Sequence, residues 1–244
     1  MADGIGARVK RKEDKRFITG KGKYTDDIRV ENQAYAAFVR SPVAHAKING
    51  IDASEALAME GVIAVHTGPE MKADGIGDII TGWAITSKDG TPMQCGVWNP
   101  MVTTHARYVG DAIAVVIAET QDIARRAAEA VELDYEDLPA TVFADKALEP
   151  GVPQVHENVP GNLIFNWEIG DEAKTEAAMA GAAHVTTLDI TNNRLSPNAM
   201  EPRSAVAIYD EAEDHYTLYT TSQNPHVARL VLSAFYNVAP EHKL

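Results

Sequence analysis

AIAVVIAETQDIARRAAEAVELDY, residues 112–135, decides the fold. Its first seven residues, 112–118, are apolar without interruption. A strand with one wet face alternates apolar and polar residues, and a strand covered on both faces does not. This one therefore reads as a strand with core on either side. Thr120 follows where a hydroxyl can accept from the first free N–H groups of a helix. Ile123, Ala124, Ala127, Ala128 and Val131 then recur at helical spacing, with Arg125, Arg126 and Glu129 largely on the opposite face. From 131 to 135 apolar and polar residues alternate, which predicts a second strand close behind. Strand, helix and strand make a compact unit inside a mixed α+β fold.

Working outward, YAAFVR at 35–40 reads as a strand stopped by Ser41-Pro42. Residues 47–51 form a second short strand, and 62–66 a third. Between them Ser54 is the expected cap of a short helix through Met59, ended by Gly61. Residues 67–104 hold no helical period, and Gly, Pro and Asp recur there. Trp83, Trp98 and Met101 are the expected plugs of a core beneath this long irregular stretch, the kind of segment that covers a neighbouring surface or carries function. Ahead of the first strand, RVKRKEDKR at 8–16 reads as a solvated polar arm and GKGKYTDDI at 20–28 as a turn-rich lead-in.

Downstream, Pro139, Pro150, Pro153 and Pro160 interrupt regular hydrogen bonding over residues 138–161, the natural place for a domain boundary. Beyond it, 172–183 is Ala-rich and reads as a helix capped by Asp171. Residues 185–191 read as a strand. Residues 205–209 and 216–221 read as two more, joined by the acidic turn DEAED. Pro225 sits where a first helical residue is expected, with Val227, Leu230, Val231 and Ala234 as the apolar stripe. The division is an arm over 1–15, a domain over 16–138, a linker over 139–160 and a further domain beginning at 161. No internal repeat is present.

Composition narrows the function classes. The chain has 244 residues, enough for one large domain or two smaller ones, and 45% hydrophobic with 23% charged residues is ordinary globular usage. Lys and Arg total 22 against 35 Asp and Glu, a formal charge of −13. Phosphate backbones and anionic membranes call for clustered positive charge, so neither is an expected partner. Cys95 is the single cysteine, which excludes an intramolecular disulfide and any site in this chain built on several thiolates. The first residues lack the apolar stretch of a secretory signal, and 112–118 is too short to span a bilayer. A soluble cytoplasmic protein is the expectation.

Local motifs for metals and nucleotides are missing. The eight histidines are scattered without paired helical spacing, and each is expected to be solvated or capped. GKGKY lacks the rest of a phosphate loop, no G-x-S-x-G element occurs, and Cys95 has no assigned base. Two segments stand out. RLSPNAMEPR at 194–203 lies between predicted strands and reads as a rigid loop with a local Glu201/Arg203 ion pair. TSQNPH at 221–226 lies where a strand ends and a helix begins, in front of unsatisfied N–H groups. There Gln223 could donate two amide hydrogen bonds outward, or serve only the turn.

Five segments together resemble the large, molybdenum-binding subunit of the xanthine dehydrogenase and aldehyde oxidase family, in its aerobic carbon monoxide dehydrogenase branch. RFITGKGKYTDDI and AFVRSPVAHAKI are similar to the opening of the family's α/β-hammerhead domain. RYVGDAIAVVIAET, continued by IARRAAEAVELDYEDLPA, is similar to its close. RLSPNAMEPR and TSQNPHVAR are similar to the start of the molybdopterin-binding α+β domain. The resemblance implies a hammerhead domain over 16–138 and the beginning of a cofactor domain over 161–244. It implies a molybdenum-pterin cofactor held by dithiolene sulfurs, molybdopterin itself or its cytosine dinucleotide form, so that no protein side chain ligates the metal. Gln223 matches the family glutamine that donates to an oxo ligand of molybdenum, as a neutral donor polarising that oxygen. Electrons would pass to an iron–sulfur small subunit and an FAD medium subunit in an oligomer acting on a small molecule.

The family's glycine-rich cofactor loop and its base glutamate would both lie beyond Leu244, so no catalytic residue is assigned here. The chain is then expected to be a fragment, a split subunit or a truncated product, inactive alone, and its substrate (carbon monoxide, an aldehyde or an N-heterocycle) stays open. Two rival readings are a non-catalytic assembly module that keeps the hammerhead fold, and an unrelated hydrolase using Glu201 with a nearby histidine.

Overall fold

A computed structural model describes residues 4–244. The first three residues of the expected arm lie outside them. The rest of that arm runs into a short helix, α1 (Asp14–Ile18), and Arg11 meets Asp14 at 2.9 Å. The expected lead-in is a turn of 3-10 helix at Thr25–Asp27.

The strands of the first half fall into two three-stranded antiparallel sheets. One has the order β1-β5-β3, from β1 (Tyr35–Arg40), β5 (Ala112–Ala118) and β3 (Val62–Thr67). The other has the order β4-β2-β6, from β4 (His105–Ala106), β2 (Ala46–Asp52) and β6 (Glu132–Asp137). The strand–helix–strand unit read from 112–135 thus divides, with β5 central in one sheet and β6 paired to β2 in the other.

Helix α4 (Gln121–Glu129) joins these strands and packs on β1 and β5. Thr120 Oγ1 accepts from the Ile123 N–H at 3.2 Å, as its position suggested. The predicted stripe delivers Ala124 and Ala127 to full burial. There Ala127 joins Val39, Ala56, Ala114, Val116 and Val131 around the face of β5 that looks toward the helix.

Ile113 belongs to a second cluster with Val102 and Ala106, and Ile51 and Leu133 touch both clusters. The ladder explains the split. Val39 pairs with Ala114 and Arg40 with Ala112, so Ile113 is an extra residue opposite β1. A bulge of this kind bends a strand and re-aims its side chain. Ile113 is fully buried there, and Val102 N–H donates to Ala112 O at 2.7 Å beside it.

Several local readings need correction. Ser54 is the first residue of α2 (Ser54–Ala58) rather than its cap, which is Ala53; the N–H of Ser54 donates instead to Asp52 Oδ1 at 2.9 Å. The irregular 67–104 stretch opens with a helix, α3 (Gly68–Ala73). Its start is a reciprocal cap in the sequence TGPE: Glu70 N–H donates to Thr67 Oγ1 and Thr67 N–H to Glu70 Oε2. Of the three expected plugs only Met101 is buried; Trp98 is half exposed and Trp83 stands in solvent.

The proline-rich 139–160 segment is tied back to its neighbours. Arg107 Nε donates to Val155 O at 3.1 Å, Asn158 Nδ2 to Cys95 O at 2.8 Å and Thr141 Oγ1 to Pro153 O at 2.5 Å. Just after it, Lys88 and Gln94 N–H groups donate to Asn166 O and Ile164 O, each at 2.8 Å.

Helix α5 (Glu172–Ala180) is capped by Asp171 as read, but ends at Gly181 and buries no side chain. Residues 185–191 form no strand, because a strand exists only through a hydrogen-bonding neighbour, and none pairs with them among the described residues. Val185, Leu188 and Ile190 are consequently exposed. The hairpin of β7 (Ala205–Asp210) and β8 (His215–Thr220) and the helix α6 (Pro225–Ala234) follow at the predicted places.

Removing the bulged core contact is expected to cost much of the fold's stability. Ile113→Ala should lower the unfolding free energy by about 2–5 kcal/mol, the range for emptying a buried Ile site. Ile63→Ala, at a 58% exposed position on β3, should change it by no more than about 0.5 kcal/mol. Urea midpoints of the two variants check the contrast.

Candidate functional site

The segment carrying Gln223 is built by its two flanks. Strand β8 ends at Thr220, and the Thr221 N–H still reaches Ser204 O at 3.4 Å. The turn is then set by Ser222 Oγ, which accepts from the Asn224 N–H at 3.2 Å. Asn224 caps α6, its Oδ1 accepting from the Val227 N–H at 3.2 Å. Pro225 occupies the first turn, where its missing N–H costs nothing.

With Asn224 acting as the cap, Gln223 is released from that task. Its side chain is exposed and its amide has no partner among the described residues. The His226 N–H is likewise without an acceptor there. Two neutral donors therefore stand at the front of a ten-residue helix, next to the positive end of its dipole. This fits the edge of a group bearing oxo or other anionic oxygens, and adds no counter-charge to it.

The second singled-out segment, 194–203, is an exposed loop in which Asn198 takes a left-handed φ of 43° and Ser196 Oγ lies 3.2 Å from Asn198 Oδ1. The expected Glu201/Arg203 ion pair does not form among the described residues. Among the described residues no histidine lies within ion-pair distance of Glu201 either, which leaves the hydrolase reading without support. Cys95 is exposed, and no group of three or more metal-ligating side chains occurs among the described residues.

The histidines are not all solvated. His105 Nε2 lies 3.5 Å from Glu157 Oε1, and its ring is 6.4 Å from that of His45. His156 is buried against Trp98, the ring centroids 5.3 Å apart, and its Nδ1 has no hydrogen-bond partner among the described residues. Gly96 makes room for it: a Cβ there would lie 2.6 Å from the imidazole. Burial, then the positive charge of Arg107, holds His156 below the usual histidine range. Burial does the same to His105, and the Glu157 carboxylate only partly offsets it. No local sequence signal marks this cluster, because its members come from three separated segments.

Comparison with known proteins places these features. The family description "Aldehyde oxidase and xanthine dehydrogenase, a/b hammerhead domain" matches residues 19–139, and "Molybdopterin cofactor-binding domain" matches residues 155–244. The carbon monoxide dehydrogenase large chain of Afipia carboxidovorans is 35% identical over 99% of this chain and 30% of its own length. Among solved structures, CO dehydrogenase from Oligotropha carboxidovorans superposes with a TM-score of 0.82 at 34% identity, over 98% of this chain and 30% of that one. Quinoline 2-oxidoreductase from Pseudomonas putida 86 also gives 0.82, at 32% identity, over 98% of this chain and 29% of that one.

The two sheets around β5 are thus a hammerhead domain, followed by the start of a molybdopterin-binding domain. The chain belongs to the xanthine dehydrogenase and aldehyde oxidase family. It spans about 30% of the length of the relatives it matches.

The buried histidines make stability depend on pH. A His whose folded pKa is depressed binds fewer protons folded than unfolded, so protein stability falls as pH drops below the unfolded value of about 6.5. The melting temperature should therefore decrease between pH 7 and pH 5.5. His156→Gln should flatten that slope in part, the remainder belonging to His105. Thermal melts of both proteins across this window are the check.

Proposed function

We propose that this chain supplies the hammerhead domain and one flank of the cofactor face of a molybdenum hydroxylase large subunit of the carbon monoxide dehydrogenase type. The observation that carries the reading is the unpartnered Gln223 amide, mounted at the start of α6 inside the segment that matches a molybdopterin-binding domain. The molybdenum-pterin group, in its plain or cytosine dinucleotide form, supplies when bound the two-electron oxidation of a small molecule with oxygen drawn from water.

This chain's own residues do a narrower task. Gln223 donates its amide N–H toward the cofactor's outer oxygens. Asn224 holds the helix start, so that the donor needs no backbone movement. The His226 N–H adds a second neutral donor from the same turn. Donors fixed beforehand next to developing charge lower a barrier without reorganising at the moment of reaction. Residues 16–138 form the hammerhead domain, 139–160 join it to the cofactor domain beginning at 161, and the base glutamate belongs to a part of the subunit outside this sequence. An iron–sulfur small subunit and an FAD medium subunit receive the electrons in a cytoplasmic oligomer. The exposed Val227 and Leu230 of α6 and the unpaired 185–191 segment support further covering of this side by protein.

Gln223→Ala in an assembled large subunit carrying this sequence should leave the melting temperature within about 2 °C, since the side chain touches nothing that holds the turn. Turnover per bound molybdenum should fall by about ten- to a hundredfold. That is less than the largest losses seen for a single preorganised donor, because the metal and its other ligands share the charge. Normal turnover per metal with a lowered melting temperature would make Gln223 a structural residue. An assembled subunit that binds no molybdenum at all would favour an assembly module.

A further inference from the structure

A concavity of about 440 Å³ opens between the turn after β1, the turn before β5, the 140–155 segment and Arg194. Arg107, Arg194, His45 and Thr141 give it polar atoms, and Val109 and Val142 belong to its apolar wall. Among the described residues no Asp or Glu lines it. That is notable in a chain with 35 acidic residues and a formal charge of −13.

The two arginines are differently held. Arg107 spends Nε on Val155 O and Nη1 on His105 O, both at 3.1 Å, which fixes the plane of its guanidinium and leaves Nη2 without a partner among the described residues. Arg194 has no hydrogen-bond or ion-pair partner among the described residues. Two carboxylates close by in the fold have partners of their own. Asp111 accepts from the Arg107 backbone N–H at 3.0 Å, and Glu157 Oε1 lies 3.5 Å from His105 Nε2. His45 Nδ1 is engaged by Pro139 O at 2.8 Å, so its ring acts as wall.

Two arginines in the lining of a hollow that holds no carboxylate among the described residues define the ligand chemistry. Guanidinium forks match carboxylate oxygens, and the volume suits a small organic molecule. We propose that this hollow is a binding site for a small organic carboxylate with an apolar body, distinct from the Gln223 segment and independent of any metal cofactor.

The test uses the whole 244-residue chain, without cofactor, and isothermal titration with three probes: benzoate, its uncharged isostere benzamide, and inorganic phosphate. Benzoate should bind at one site per chain. Benzamide and phosphate should each bind at least about tenfold more weakly, one lacking the charge and the other the apolar body. Arg194→Gln should weaken benzoate by about tenfold and leave the fold untouched, because Arg194 bonds to no protein group. Arg107→Gln removes two backbone contacts as well, so its benzoate affinity is read only after a circular dichroism melt confirms folding. Absence of benzoate binding to the native chain, equal binding of benzoate and benzamide, equal binding of benzoate and phosphate, or an Arg194→Gln affinity equal to native would each overturn the proposal.

Discussion

Burial of one wholly apolar strand at the centre of its sheet is the constraint on which the rest of this structure depends. β5 carries no polar side chain that could face water, and it lies between two neighbours and not at an edge. Covering it takes β1 and β3 at its sides and α4 on one face, while residues of the β4-β2-β6 sheet close around Ile113; Val115 and Ile117 on the other face are half-buried. Its bulge at Ile113 divides the side chains between the two cores, and Ile51 and Leu133 bridge them. Residues before and after the hammerhead elements then find their places against a body already closed. The proline-rich 139–160 segment docks by side-chain and backbone hydrogen bonds instead of by a core of its own.

Much of this was legible in the chain because it is local. An uninterrupted apolar heptad, a Thr at the cap and a helical stripe name β5 and α4 almost residue by residue. β1 and α6 were placed with equal accuracy, by a proline stop and a proline start. The capping box TGPE was equally local and was passed over because the surrounding stretch lacks helical period; α3 is only six residues long, too short to show one. What was not legible is non-local. Residues 185–191 have the composition of a strand, yet strandedness depends on a neighbour that composition does not specify. His156 was expected in solvent, and only the meeting of Gly96, Trp98 and the 155–159 turn encloses it.

The site was legible in a different way. Physics alone left Gln223 equally fit for a turn or for a ligand, and the structure adds that Asn224, not Gln223, serves the helix. Likeness to a family supplied the direction in which the amide would be used. The arginine-lined hollow had neither advantage. Arg107 and Arg194 are separated by 87 positions in sequence, and neither sits in a recognisable motif that speaks of carboxylates.

The strand orders also dictate when the domain can form as it leaves the ribosome. β1 and β3 do not pair with each other; both pair with β5, which comes later in the chain than either. β2 likewise waits for β4 and β6. Every strand made before residue 105 therefore emerges with its hydrogen-bonding edge open, and no sheet can nucleate from nascent neighbours. Closure follows only after Ala118 for one sheet and Asp137 for the other, through contacts of long sequence separation that are slow to find and exposed to association meanwhile. A pause in translation between β3 and β5 would lengthen that interval, and the unpaired Tyr35–Arg40 and Val62–Thr67 segments would be the parts of the nascent chain most in need of a chaperone.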